Sequence, residues 1–353
     1  MRVLSLFDGI SCARVALNRA GIPITFYFAS EIDKNAILVA QKNHPDTIQL
    51  GSVVGLSPPE CDLLIGGSPC VDLSIAKKDR KGLDGEHSGL FWEWVRVWKE
   101  TKPKWWVLEN VASMPKKDRD IITATLGVEP VMFNASLVSA QCRKRLFWTN
   151  IKFDLPEDKG ILLKDILEAE VDERFYVKKE FHKTAQTGRN ETKKLGYVGD
   201  KDHQAKRVYH DNGKLPALAS VCNSMVKTGL YYVGAVEGAT RKGMENQGHL
   251  SRGHHEGNRI YGLEGKAPTL SANGGGTAGS SALIKEETRI RKLTPIECER
   301  LQGLPDNYTE GVATTNRYRC LGNAFNVNVV AHILRHINLP APSSSCEPHE
   351  SSP

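Results

Sequence analysis

Along the first 150 residues, short apolar runs alternate with stretches whose apolar residues recur every three to four positions. RVLSLF (2–7), FYFASE (26–31), DLLIGG (62–67) and WWVLEN (105–110) read as strands: each is short, apolar and closed by Gly, Asp, Glu or Asn. ARVALNRAG (13–21), KNAILVAQKNH (34–44) and GLFWEWVRVWKE (89–100) carry the helical period, and VMFNASLV and RLFWTN close the region near residue 150. Strands spaced by helices predict an α/β fold built on a doubly wound, mainly parallel sheet. Ligands of such sheets bind at the carboxyl ends of the strands. The turns that follow these strands hold FDG, SEID, GGSPC and EN.

From about 165 to 290 the pattern changes to Gly, polar and basic residues with short strands and no helical period. Two segments there are alike at an offset of 52 residues, RVYHDNGKLPALA (207–219) and RIYGLEGKAPTLS (259–271). Two copies make a duplicated loop-and-strand unit, not a solenoid. A third pattern begins at 291, where Thr294, Pro295 and Glu297 predict an N-cap, an N1 proline and an N3 glutamate opening a helix. VNVVAHILRHI (327–337) predicts an amphipathic helix, and the Pro/Ser-rich tail over 340–353 predicts disorder.

Composition changes this picture little. The 353 residues are 40% hydrophobic and 25% charged, and the net charge of +6 mildly favours a polyanionic partner. The N-terminus has no secretory pattern, and no apolar run reaches membrane-spanning length. The eight cysteines include no CxxC pair, so the chain is expected to keep free thiols in a reducing cytoplasm and to lack a structural metal site.

Candidate chemistry clusters at the strand ends. Cys70 stands behind Pro69 on a stiff turn; taken alone, a small apolar filler and a poised nucleophile are equally good readings. The polar stretch after it carries Lys77, Lys78, Arg80, Lys81 and His87, positive charge that favours a thiolate and suits a closing lid. Glu109 follows an apolar strand, where a carboxylate serves either as a turn former or as an acid able to hydrogen-bond a base edge. In QCRKRLFW (141–148), Arg143 and Arg145 fall on the same side of an extended segment, as a solvated edge or as a clamp for substrate oxygens.

Taken in order, LSLFDGIS, SEID, GGSPCVDLSI, KGLDGEHSGLFWEW, WWVLENV, QCRKRLFW, LTPIECERLQGLPDNY and LGNAFNVNVV resemble the DNA (cytosine-5)-methyltransferase family over nearly the whole chain. The opening and the KGLDGEHSGLFWEW block lean toward the eukaryotic de novo subgroup; the Gly-Asn-Ala block and the length look bacterial or phage-like. The resemblance implies a Rossmann-like catalytic and cofactor domain over 1–160 and a target-recognition domain over 165–290. It implies that 291–338 returns to the catalytic domain.

It also implies roles. Cys70 would add to carbon 6 of a cytosine flipped from the duplex, Glu109 would bond N3 and the exocyclic amine, Arg143 would bond the base carbonyl, and Arg145 would support the site. S-adenosylmethionine would be held by Phe7, Asp8, Gly9, Glu31, Ile32, Pro69, Leu90, Asn323 and Ala324, with Glu31 on the ribose hydroxyls and Trp92 near the methionine side. The chain departs from the family pattern at Ser5, where many members have Asp, and at GSVV (51–54), which replaces a Gly-Asp pair. Ser74, Lys77, Arg80, Lys81, Arg207, Arg259, Lys266 and Thr269 would contact double-stranded DNA. A monomer is expected.

Three rivals fit less well. A tRNA methyltransferase of the same fold tends to have a smaller recognition region, and a non-catalytic DNA-binding paralogue would not need Cys70, Glu109 and Arg143 together. A Cys-dependent hydrolase lacks an orienting histidine nearer than His87.

Overall fold

The computed structural model describes residues 1–69, 88–175 and 293–338, together with the backbone of short strands between 181 and 292. The elements are β1 Arg2–Leu6, α1 Cys12–Arg19, β2 Phe26–Ser30, α2 Lys34–Asn43, β3 Ile48–Gln49, β4 Leu63–Gly67, α3 Phe91–Thr101, β5 Trp105–Val111, α4 Lys116–Leu126, β6 Val131–Asn134, β7 Gln141–Cys142 and β8 Lys144–Thr149. After the intervening region come α5 Pro295–Gln302, α6 Thr314–Asn323 and α7 Val327–Leu334. Every strand and helix read from periodicity in the first half is present; β3, α4 and α6 were not foreseen.

The main sheet runs β3-β2-β1-β4-β5-β8-β6. The pairings from β3 through β5 are parallel, and β8 runs antiparallel to both β5 and β6. This is the doubly wound, Rossmann-like α/β fold. Because side chains alternate across a strand, a strand buried on both faces splits its apolar residues between two cores. Val3, Leu63, Ile65 and Val107 pack with α1, α2 and α7 on one face. Leu4, Leu6, Leu64, Trp106 and Leu108 pack with α3 and α4 on the other. Trp94 and Trp98 of α3 meet Trp106 edge-on, with ring centroids 5.9 and 5.5 Å away.

Residues 293–337 share the first core with β1 and α1, through Leu293, Leu301, Leu321, Val330 and Ile333. The capping box at Thr294 forms as foreseen, with Thr294 Oγ accepting from the Glu297 amide and the Glu297 carboxylate accepting from the Thr294 amide. The same glutamate also accepts from the Glu168 amide at 3.0 Å, so one cap ties two distant segments. Polar cross-links complete the attachment: Arg319 pairs with Asp33 on α2's N-cap, Lys42 with Glu310, and Arg19 with Asn328.

Between 181 and 292 the short strands form a three-stranded sheet and a five-stranded sheet. In addition, Ala267–Pro268 pairs in parallel with β7, Ala267 opposite Gln141 and Pro268 opposite Cys142.

Candidate active site

In a sheet ordered this way the chain crosses in opposite directions from β1 and β4, which opens a crevice at their carboxyl ends. The first turn there runs through the left-handed region at three positions, Phe7 (φ 56°), Gly9 (φ 61°) and Ser11 (φ 58°). For a bulky residue such as Phe7 this costs roughly 1–3 kcal/mol and persists only where surroundings enforce it. Asp8 supplies the enforcement. Its carboxylate is buried and accepts from Tyr27 OH (2.6 Å) and Ser11 OH (2.5 Å). Burial pushes the Asp8 carboxyl up, opposed by the Ser11 hydroxyl among its donors. The side chain of Asp8, a residue expected among the cofactor contacts, is turned into the core, where it holds the turn.

Glu31, at the end of β2, reaches across this turn. Its Oε2 accepts from the Gly9 amide (2.8 Å), and its Oε1 accepts from the amides of Ile32 (2.7 Å) and Asp33 (2.8 Å). A carboxylate offers about four acceptor sites, so the fixed group retains capacity for a hydroxyl donor. Ile32 beside it leaves 73% of its surface exposed, an apolar platform at the crevice edge. These residues fit the ribose and adenine of S-adenosylmethionine. Leu90 packs against the second core and Trp92 is exposed. Asn323 is exposed at the end of α6, and Ala324 is buried beside it.

The neighbouring strand end holds the charged cluster. The Glu109 carboxylate pairs with Arg145 Nε at 2.8 Å, both side chains about five-sixths buried. A side chain on Gly67 would crowd this pair: a Cβ there would lie 2.7 Å from Glu109 Oε2 and 2.9 Å from the Phe325 ring. Asn110 turns the other way and donates to the Ser68 hydroxyl (3.1 Å) and carbonyl (3.3 Å), tying β5 to the turn that precedes Cys70. Glu109, Arg143, Arg145, Phe147 and Phe325 line one small cavity.

The two arginines have different protein partners. Arg143 is 4% exposed, and its Nη2 donates to the carbonyls of Gly322 (3.1 Å) and Ala324 (2.9 Å). It therefore anchors the late Gly-Asn block to the sheet. Arg145 stands against the glutamate, and both arginines line the cavity beside it. Alternation along an extended segment placed both on one cavity, but only the tertiary partners decided their roles.

Of the remaining expected residues, Cys70, Ser74, Lys77, Arg80, Lys81, Lys266 and Thr269 lie outside the described residues, and Arg207 and Arg259 are described in backbone only. Cys12, Cys61, Cys298 and Cys320 are buried core thiols; burial pushes Cys61 and Cys320 up to about 11, so neither is a thiolate at neutral pH. No group of side chains suited to a metal ion exists among the described residues, and no helix among them is long and apolar enough to cross a membrane. Ser68, Asn110 and Phe325 escaped the sequence reading. Their signal was adjacency to SPC, ENV and the Gly-Asn block.

Similarity to known proteins agrees with this geometry. The sequence matches the family described as C-5 cytosine-specific DNA methylase over residues 1–339. It is 25% identical to the orphan methyltransferase M.SPRI of Bacillus phage SPR, covering 96% of this chain and 97% of that one. It is 26% identical to the type II methyltransferase M.HhaI of Haemophilus parahaemolyticus, over 96% and 94%. Among solved structures, a putative DNA modification methyltransferase from an Escherichia coli prophage superposes with TM-score 0.59 at 18% identity, over 95% and 98% of the two chains. The S. pombe Dnmt2 methyltransferase does so with TM-score 0.57 at 17% identity, over 95% and 97%. With its motif order, its sheet and its strand-end carboxylates all in agreement, the chain belongs to the family of C-5 cytosine-specific DNA methylases.

Proposed function

We propose that the chain methylates carbon 5 of cytosine in a specific duplex DNA sequence, with Cys70 as nucleophile and the Glu109–Arg145 pair as the group that holds the base. The observation that carries this assignment is the packing of that pair directly over Gly67, three residues before Cys70.

Cytosine carbon 5 is too weak a nucleophile to take a methyl group unaided. Addition of the Cys70 thiolate to carbon 6 converts the ring to an enamine and moves electron density onto carbon 5. Glu109, near the carboxyl end of β5, bonds N3 and the exocyclic amine, stabilising the charge that develops there, and Arg145 fixes its orientation. When bound, S-adenosylmethionine supplies the methyl group as an electrophile to carbon 5. Loss of the carbon 5 proton then expels the Cys70 sulfur by elimination and restores the aromatic ring. Asn110 holds Ser68, tying the residues just before Cys70 to the strand that carries Glu109.

Residues 165–290 serve as the target-recognition unit in this reading. The pairing of Ala267–Pro268 with β7 supports it, since that ladder ends one residue before Arg143. The substrate is double-stranded DNA, and the chain acts as a monomer in the cytoplasm of a bacterial or phage-infected cell.

Cys70→Ser tests the assignment. It should abolish transfer of a labelled methyl group to DNA while DNA binding, measured with S-adenosylhomocysteine present, survives. Substantial turnover by this variant would sink the covalent mechanism.

A further inference from the structure

The likeness between 207–219 and 259–271 has a counterpart in the backbone. Arg207–His210 pairs antiparallel with Lys193–Val198, and Arg259–Tyr261 pairs antiparallel with Asn246–His249. The two registers coincide under the same offset of 52 residues. Arg207 stands opposite Tyr197 and Arg259 opposite His249; Val208 opposite Gly196 and Ile260 opposite Gly248; Tyr209 opposite Lys194 and Tyr261 opposite Asn246. Each hairpin also skips one residue just before its glycine, Leu195 in one and Gln247 in the other. A bulge re-aims a strand at a defined place. Finding it at the same place in both hairpins marks them as two copies of one unit, extending upstream of the segment that sequence likeness alone picks out.

The copies differ in attachment and charge. The second runs on into Ala267–Pro268, which is paired to β7 beside Arg143. The first is paired on its far side with Phe181–Lys183. Residues 193–219 hold six basic residues against three acidic ones, whereas 245–271 hold three against three. The contrast is sharpest at matched positions, where Lys193 and Lys194 of the first copy correspond to Glu245 and Asn246 of the second.

We propose that the duplicated unit has divided its work: the first copy, residues 193–219, grips the DNA backbone without regard to sequence, and the second, docked beside the catalytic strand, governs which cytosine is selected. The proposal rests on the reading of 165–290 as the DNA-recognition unit. Its physical basis is that binding to phosphates gives affinity and salt dependence, whereas sequence is read at the base edges.

The test compares K193Q/K194Q with R259Q in the full-length protein, with S-adenosylhomocysteine present. Binding to target and non-target duplexes is measured from 0.05 to 1 M salt, where each phosphate that the protein ceases to neutralise lowers the log–log slope by ~0.9. K193Q/K194Q should reduce the salt slope by about 1.8, weaken target and non-target duplexes alike by on the order of 50-fold at 0.1 M salt, and converge with wild type near ~1 M. K193R/K194R should restore the slope, which excludes a folding defect. R259Q should narrow the preference for target over non-target. An unchanged slope in K193Q/K194Q, or a loss of target preference in that variant and not in R259Q, overturns the division. If neither variant alters binding to any duplex, the recognition role of 165–290 falls with it.

Discussion

Gly67 is the position where the site's geometry is most exposed to a single atom. An alanine methyl there would sit 2.7 Å from Glu109 Oε2, 2.9 Å from Phe325 Cε1 and 3.4 Å from the Glu109 carbonyl, against an ordinary separation of 3.4–4 Å. The carboxylate must therefore retreat by about 0.7 Å, and it can, because it ends a flexible side chain; overpacking of this kind costs ~1–3 kcal/mol. Displacement on the scale of 1 Å costs about 100-fold in rate, or ~2.7 kcal/mol of barrier. Gly67→Ala should thus fold, bind cofactor analogue and lose roughly 30- to 100-fold in single-turnover methyl transfer. Gly66→Ala is the contrast. There the added methyl meets the Leu6 backbone carbonyl at 2.6 Å, which cannot step aside, so the loss should appear as a lowered melting temperature. The assay is transfer of labelled methyl to DNA at saturating cofactor, with a thermal melt of each variant. Gly67→Ala turning over within about threefold of wild type would refute the claim that Glu109 acts from the place the structure gives it.

Three further outcomes rest on named interactions. Tyr27→Phe leaves Asp8 Oδ1 without its 2.6 Å donor; it should cost ~1–3 kcal/mol of stability and weaken S-adenosylhomocysteine binding measured by calorimetry, and unchanged values in both would dissociate the Asp8 network from the cofactor turn. His44 is pushed down to about 4, by burial first and by Arg14 second. The unfolded chain therefore takes up this proton first, so the His44 contribution to stability is intact above about pH 6.5 and is lost as pH falls toward 4; an NMR titration placing His44 near its ordinary value would contradict this. Thr294→Ala removes the side chain that accepts from the Glu297 amide at 3.2 Å. It should destabilise the protein by about 1 kcal/mol, read in a denaturant melt, with no effect on cofactor affinity.

Local pattern carried far in this chain. Continuous apolar runs sufficed for β1, β2, β4 and β5, and 3.6-residue apolar spacing for α1, α2 and α3, because strands buried on both faces and amphipathic helices leave those signatures in the local sequence. The α5 cap was equally legible, since Thr294, Pro295 and Glu297 act within one turn. The family's motif order named Cys70, Glu109 and the QxRxR arginines before any fold was known.

Other features depended on partners far away in sequence. α6, TTNRYRCLGN, has little apolar period; it is held by Arg317 on the buried Glu299, Arg319 on Asp33 and Tyr318 OH on the Leu293 carbonyl. Arg143 and Arg145 are indistinguishable in an alternating segment, and only the Gly322 and Ala324 carbonyls and Glu109 tell them apart. Asp8 reads as a strand-end carboxylate at a ligand site until Tyr27, nineteen positions on, takes its oxygen. Hydrophobic periodicity is a property of neighbours along the chain, so the sequence determines it directly. The direction of a charged side chain is set by whichever distant donor or carbonyl satisfies it when water is removed, and only the closed tertiary structure supplies that partner.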